Sequence, residues 1–146
     1  MIRGERDALP VEGSPAITAR AAQERYRYLH GEMPLLAIYV AAKLRRGKLW
    51  SALQGLQTMR NAVMEIYGLT RGSTLPSRFF IKHAPKDLQD SLGATLAIYD
   101  LAPIAESLRR LVALYREECE RLSNGHLSFS EGEAKAFDRI ELLLAE

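Results

Sequence analysis

Length, composition and charge already limit what this chain can be. Its 146 residues, 47% hydrophobic and 26% charged, are enough for one ordinary globular domain with its own core. The formal net charge of +2 is small, so it gives no general electrostatic reason to expect a nucleic acid or an anionic membrane as partner. The single cysteine, Cys119, excludes an intramolecular disulfide and a cysteine-rich metal site.

Neither a leader peptide nor a membrane span is predicted. Glu5 and Asp7 lie where a signal peptide would be basic. The apolar run Leu35–Leu44 is far shorter than the roughly 20 residues that a helix needs to cross a bilayer. We therefore expect a cytoplasmic protein without a membrane partner.

The first third of the chain predicts an arm and two helical stretches. Residues 1–15 carry Gly, Pro and alternating charges without an apolar period, which predicts an irregular N-terminal arm. Residues 16–30 favour a helix, and Gly31 and Pro34 predict a break or bend after it. Helix then continues to about Arg46, where Gly47 is the expected C-terminal cap.

A long helix is predicted next, from about Leu49 to Tyr67. One face of it repeats at helical spacing, and Arg60 is the only charge on that face; its members are Leu49, Leu53, Leu56, Arg60, Val63 and Tyr67. Residues 71–85 are rich in Gly, Ser, Thr and Pro and predict an irregular loop. The three large apolar residues 79–81 predict that this loop packs onto the helices.

Three further helices complete the predicted fold. They cover residues 86–97, residues 104–122 and a final stretch after Ser130, where Ser130 and Glu133 form a capping-box pattern. No segment shows the alternation of a strand. The sequence thus predicts an all-α fold, an antiparallel helical bundle of about five helices, with residues 16–146 as a single domain.

Arg60 needs a partner if its stripe faces the core, because an unpaired buried charge is very costly. The stripe that starts at Ile104 carries one acid, Glu118, so we predict an ion pair between Arg60 and Glu118, with Glu117 as the alternative. A slightly rotated stripe passes through Cys119 instead and would leave Glu118 at the edge of the buried face.

No motif for metal binding, phosphate binding or nucleophilic catalysis is present, so no metal, cofactor or catalytic residue is predicted. One spacing does carry a hypothesis. Arg25 and His30 are separated by four residues, and this Arg-x4-His spacing resembles the signature of HEPN-type ribonucleases, which are dimeric helical bundles. In such enzymes the histidine serves as acid or base and the arginine steadies phosphate charge. This resemblance implies an alternative function, a dimeric ribonuclease.

A broader resemblance covers more than half of the chain, from Tyr39 to Leu122. The segments that carry it are YVAAKLRRGKLWSALQGLQTMRNAVMEIYGL and KHAPKDLQDSLGATLAIYDLAPIAESLRRLVALYREECERL. They contain, in this order, a basic glycine turn, a long helix with a central arginine, a polar loop and two leucine-rich helices. In this order of elements the chain resembles the C-terminal helical domain of aminoglycoside-type nucleotidyltransferases. The family's catalytic half has a Gly-Ser turn followed by an Asp-x-Asp pair that binds magnesium. Here Gly13-Ser14 is present but no Asp-x-Asp follows.

The resemblance implies a substrate-binding or accessory module that is not catalytic alone. It would act with a nucleotidyltransferase core on another chain; a purely structural homodimer is the remaining alternative. The resemblance also implies a substrate-facing surface made by Glu32, Tyr39, Lys43, Arg60 and Glu65. Without the family, Tyr39 would be interpreted as a core residue and Arg60 as half of a core ion pair.

Overall fold

The fold is entirely helical where it is described. A computed structural model of the chain describes residues 15–145, and these form six α-helices and no strand. The helices are α1 (Pro15–Arg45), α2 (Leu49–Leu69), α3 (Pro76–His83), α4 (Lys86–Gly93), α5 (Leu101–Leu122) and α6 (Glu131–Ala145). The predicted irregular arm lies outside the described residues, except that Pro15 already belongs to α1.

The α1–α2 hairpin is the frame of the fold. Gly47 adopts φ +72°, a left-handed conformation that favours glycine, and ends α1. The Lys48 amide donates to the Lys43 carbonyl (2.9 Å) and the Gly47 amide to the Leu44 carbonyl (3.0 Å), which is a Schellman motif. The chain reverses there, so α2 runs back along α1.

A break or bend was predicted at Gly31–Pro34, and the break is wrong, because α1 is one continuous helix with Pro34 inside it. A proline inside a helix removes one backbone hydrogen bond and costs about 3 kcal/mol. The side chains around Pro34 are buried in the core, and their burial offsets that cost; they are Met33, Ala37, Val40 and Ala41.

The predicted loop between α2 and α4 is also more ordered than expected, because residues 76–83 form the helix α3. Pro76 starts this helix, where a missing amide hydrogen costs nothing. Phe80 is buried and meets the Tyr67 ring edge-on, with ring centroids 5.3 Å apart. The expectation that this segment packs onto the bundle is therefore confirmed. With α3 included, the described residues form six helices, where about five were predicted.

The core lies between α1, α2, α5 and α6. Of the six side chains expected to be the core of the two long stripes, five are buried and Leu53 is half-buried; the five are Leu56, Val63, Leu108, Leu111 and Tyr115. The capping box that begins α6 is confirmed as well. The Glu133 amide donates to the Ser130 hydroxyl (3.2 Å) and the Ser130 amide to the Glu133 carboxylate (2.9 Å).

Candidate functional site

The α1–α2 groove is the cleft that brings predicted site residues together. We use this name for the outward-facing cleft, of about 420 Å³, between the N-terminal half of α1 and the C-terminal half of α2. Its lining residues step along the facing edges of the two helices; they are Arg25, Tyr28, Leu29, Glu32, Leu36, Thr58, Asn61, Ala62 and Glu65. The volume lies within the range of about 300–1,000 Å³ that is usual for small-molecule sites.

An ion pair across the groove fixes one of its two carboxylates. The Arg25 guanidinium contacts Glu65 with both ends of its fork, through Nε (2.8 Å) and Nη2 (3.2 Å). This hydrogen bond to Glu65 raises the pKa of Arg25 and so favours its charged form. Because both side chains are partly exposed, the pair contributes little stability, about 0–1 kcal/mol.

Glu32 is the unpaired charge of the groove. Its side chain is half-buried, and within the described part of the chain it has neither a hydrogen bond nor an ion pair. Two carboxylates against one guanidinium leave the groove with an excess of one negative charge. Thr58 and Asn61 add a hydroxyl and an amide on the α2 side, and Tyr28 adds an aromatic ring. The groove is therefore equipped to bind a cation that also carries hydrogen-bonding groups.

Tyr39 and Lys43 lie on the same edge of α1 as Glu32 but outside the groove. Lys43 Nζ is 5.2 Å from the centroid of the Tyr39 ring, a cation–π contact. Tyr39 is 44% exposed, so the interpretation of this residue as core is wrong. Its ring covers Gly55 of α2, where a Cβ atom would lie 3.3 Å from Tyr39 Cδ2. Tyr39 and Lys43 therefore continue the α1 edge beyond the groove and do not line the groove itself.

Arg60 lies apart from the other four predicted site residues. It is buried, and its Nη1 donates to the Thr95 carbonyl (2.9 Å) and hydroxyl (3.3 Å), while its Nε donates to the Gln57 side-chain carbonyl (3.2 Å). The predicted ion pair with Glu118 is wrong, and so is the alternative with Glu117. Glu118 instead accepts from Arg121 of its own helix (3.5 Å). The buried face of α5 passes through Cys119, which leaves Glu118 at its edge.

His30, the candidate acid–base group of the ribonuclease alternative, is built into the core. Its Nδ1 is hydrogen-bonded to the Tyr115 hydroxyl, and its Nε2 lies 3.0 Å from the Ser128 carbonyl and 3.4 Å from the Glu133 carboxylate. A carbonyl can only accept, so Nε2 carries a hydrogen and donates to Ser128. Both ring nitrogens are thus engaged with buried or partly buried protein groups, and Arg25 is engaged with Glu65.

Other chemically reactive groups are similarly placed inside the fold. Burial raises the pKa of the Cys119 thiol to about 11, so at neutral pH this cysteine is a protonated core residue and not a nucleophile. Among the described residues, no three His, Cys, Asp or Glu side chains lie close enough together to hold a metal ion. None of the described helices combines the length and apolarity needed to cross a membrane.

Sequence analysis did not identify Thr58 and Asn61 as residues of the groove. Thr58 and Asn61 precede Glu65 by seven and four residues, which places all three on one edge of α2, and Arg25 precedes Glu32 by seven on α1. This spacing was visible, but only the α1–α2 pairing shows that the two polar edges face one cleft. No protein-family model, no curated protein and no solved structure matches this chain.

Proposed function

We propose that the chain is a helical binding module that holds a cationic small molecule in the α1–α2 groove. The observation that carries the proposal is Glu32, a half-buried carboxylate without a partner in the described chain, which faces the same cleft as the Arg25–Glu65 pair. A carboxylate that is partly withdrawn from water forms strong, charge-assisted hydrogen bonds with an ammonium group. Thr58 and Asn61 provide further contacts for hydroxyl groups.

The resemblance to aminoglycoside-type nucleotidyltransferases suggests the class of ligand and the role of the module. Amine-bearing sugars combine several ammonium groups with hydroxyls, which matches the charge and polar lining of the groove. In this proposal the chain supplies the substrate-binding half in the cytoplasm, and a separate nucleotidyltransferase core supplies the magnesium-binding carboxylates and the chemistry. The chain alone transfers no nucleotide.

An exposed apolar surface is available for such a partner. Trp50 at the start of α2 is 68% exposed and contacts Tyr99 of the α4–α5 loop, with ring centroids 4.8 Å apart and the rings tilted by 41°. Ile98 and Leu101 of the same loop region are exposed as well. Grouped large apolar side chains of this kind mark protein interaction surfaces. We assign the surface to the catalytic chain; a second copy of this chain is the alternative occupant.

The ribonuclease alternative draws less support from the geometry. A general acid or base must reach the substrate with a free nitrogen, whereas both nitrogens of His30 are hydrogen-bonded inside the protein. Through these hydrogen bonds His30 connects α1 to α5 and to the segment before α6, which is a structural role.

Calorimetric titration of the protein with an aminoglycoside tests the proposed function. We expect binding by the wild type and an affinity about tenfold lower for Glu32→Gln, because a hydrogen bond to a charged group contributes about 1.5–3 kcal/mol. The substitution removes the charge and keeps the shape of the side chain. Glu120→Gln is the matched control, since Glu120 is an exposed carboxylate of α5 outside the groove. Equal losses in the two variants, or no binding by the wild type, would reject the proposal.

A further inference from the structure

Arg60 has features of a ligand-binding group that its position in the fold does not require. Arg60 is only 7% exposed, yet among the described residues no carboxylate lies within ion-pair distance of its guanidinium. Its Nη2 has no hydrogen-bond acceptor among these residues either, so two charged N–H donors are left without a protein partner. Burial lowers the pKa of Arg60, in keeping with a guanidinium withdrawn from water and not compensated by an acid.

This arrangement is costly for stability alone. A buried charge without a counter-charge is unfavourable, and the donation from Nη1 to the buried Thr95 carbonyl offsets only part of that cost. The hydrogen bonds to Thr95 and Gln57 use only neutral acceptors. The two Nη2 hydrogens have no acceptor among the described residues, so they are available to a bound ligand. A bound anion would supply both the missing acceptor and the missing charge.

Arg60 lines a second pocket, of about 240 Å³, which we call the Arg60 pocket. It lies between α2, α3 and α4, away from the α1–α2 groove, and most of its walls are apolar: Met64, Phe80, Ile81, Leu92 and Leu96. Ile81 and Leu96 are largely exposed. An apolar ligand would cover these two side chains and remove them from water.

The side-chain amide nitrogens of the two glutamines that line the pocket are already used inside the protein. Gln89 Nε2 donates to backbone carbonyls of Ile81 (3.1 Å) and Ala84 (3.0 Å). Gln57 accepts from Arg60 Nε and donates to the Asn61 side chain (2.9 Å). Arg60 is therefore the main group that can select a ligand by charge, and it can select only an anion.

We propose that the Arg60 pocket binds a small carboxylate carried on an apolar group, with the carboxylate on Arg60 and the apolar part against Met64, Leu92 and Leu96. The planar guanidinium matches a carboxylate in geometry as well as in charge. The pocket is too small for a polymer and its walls offer one charged group at one end, so a short aliphatic monocarboxylate fits it best. This site is separate from the cation site in the α1–α2 groove, and Gln57 connects the two by hydrogen bonds to Arg60 and to Asn61.

Titration of the full chain with hexanoate, followed by NMR, tests the proposal. Hexanamide is the matched neutral ligand, with the same chain length and no charge. We expect shifts of Arg60 Nε and of the amides of Met64, Leu92 and Leu96, and an affinity for hexanoate at least about tenfold higher than for hexanamide. Equal affinities for the two ligands, or shifts centred elsewhere on the molecule, would overturn the proposal.

Two substitutions separate a binding role of Arg60 from a structural one. Arg60→Met should lower the affinity for hexanoate to that for hexanamide, while Arg60→Lys should retain a preference for hexanoate because it keeps the charge. Arg78→Met is the control, since Arg78 is an exposed arginine of α3 that does not line the pocket. Should Arg60→Met not fold, the comparison of hexanoate with hexanamide on the wild type and on Arg60→Lys decides the question. Undiminished hexanoate binding by Arg60→Met would refute the assignment.

Discussion

Individual side chains of the two long stripes carry much of the stability. Leu56 of α2 and Leu111 of α5 are completely buried, and each fills space at the centre of the core. Truncating such a leucine removes its transfer free energy and leaves a cavity, because the surrounding helices relax only partly. The core of this fold is therefore sensitive to single methyl groups.

We expect Leu56→Ala and Leu111→Ala each to lower the free energy of unfolding by about 2–5 kcal/mol, measured by urea denaturation. Leu142→Ala is the control, since Leu142 of α6 is 69% exposed and its truncation should change stability by no more than about 0.5 kcal/mol. A loss at Leu56 and Leu111 as small as that at Leu142 would mean that the buried faces are assigned incorrectly.

The same residues show how far sequence patterns determine single side chains. Apolar periodicity identified most of the buried positions, because helical spacing fixes which residues share a face, but Leu49 and Leu53 of the α2 stripe are only partly buried. It failed for the partner of Arg60, because the face of a neighbouring helix can be rotated by one position without disturbing its apolar pattern. Cys119 takes the inner position on α5, Glu118 moves to the edge, and the backbone of Thr95 meets Arg60 instead.

At the scale of elements, close approach of two helices depends on one glycine. Gly68 lies near the end of α2 and is buried, and a Cβ atom there would collide with the backbone of Pro76 at the start of α3. Backbone atoms cannot move aside as a flexible side chain can, so α3 would have to shift away from α2. Gly31 of α1 presents the opposite situation, with nothing within 4 Å of the corresponding Cβ position.

We expect Gly68→Ala to destabilise the protein by about 1–3 kcal/mol and Gly31→Ala to stabilise it by roughly 0.5–1 kcal/mol, since alanine is the better helix former where space allows. Thermal unfolding of the two variants beside the wild type checks both signs. A stabilising Gly68→Ala would contradict the close α2–α3 packing, and a strongly destabilising Gly31→Ala would contradict the open surroundings of that residue.

Helix boundaries that depend on local signals were predictable, and those that depend on packing were not. Gly47 ends α1 and Ser130 with Glu133 begins α6 as expected, because both signals act within a few residues. Pro34 was expected to break or bend α1, but the helix continues through it, and the side chains around it are buried. Residues 76–83 were expected to be irregular, yet Phe80 packs on Tyr67 and stabilises α3.

At the scale of the whole molecule, α2 separates two cavities of different character. The α1–α2 groove has an excess negative charge and polar walls, whereas the Arg60 pocket has one cation and mainly apolar walls. The family resemblance grouped Arg60 with Glu32 and Glu65, whereas Arg60 lines a different cavity. The sequence alone could not separate them, because it does not show which edge of α2 faces α1.

The central claim is that the α1–α2 groove is a cation site. NMR mapping of an aminoglycoside titration tests this claim most directly. We predict shifts at Thr58, Asn61 and Glu65 that saturate at a single dissociation constant, and a dissociation constant about tenfold higher for the same shifts in Glu32→Gln. Small, non-saturating shifts spread over exposed carboxylates such as Glu106 and Glu120, unchanged by Glu32→Gln, would contradict the account.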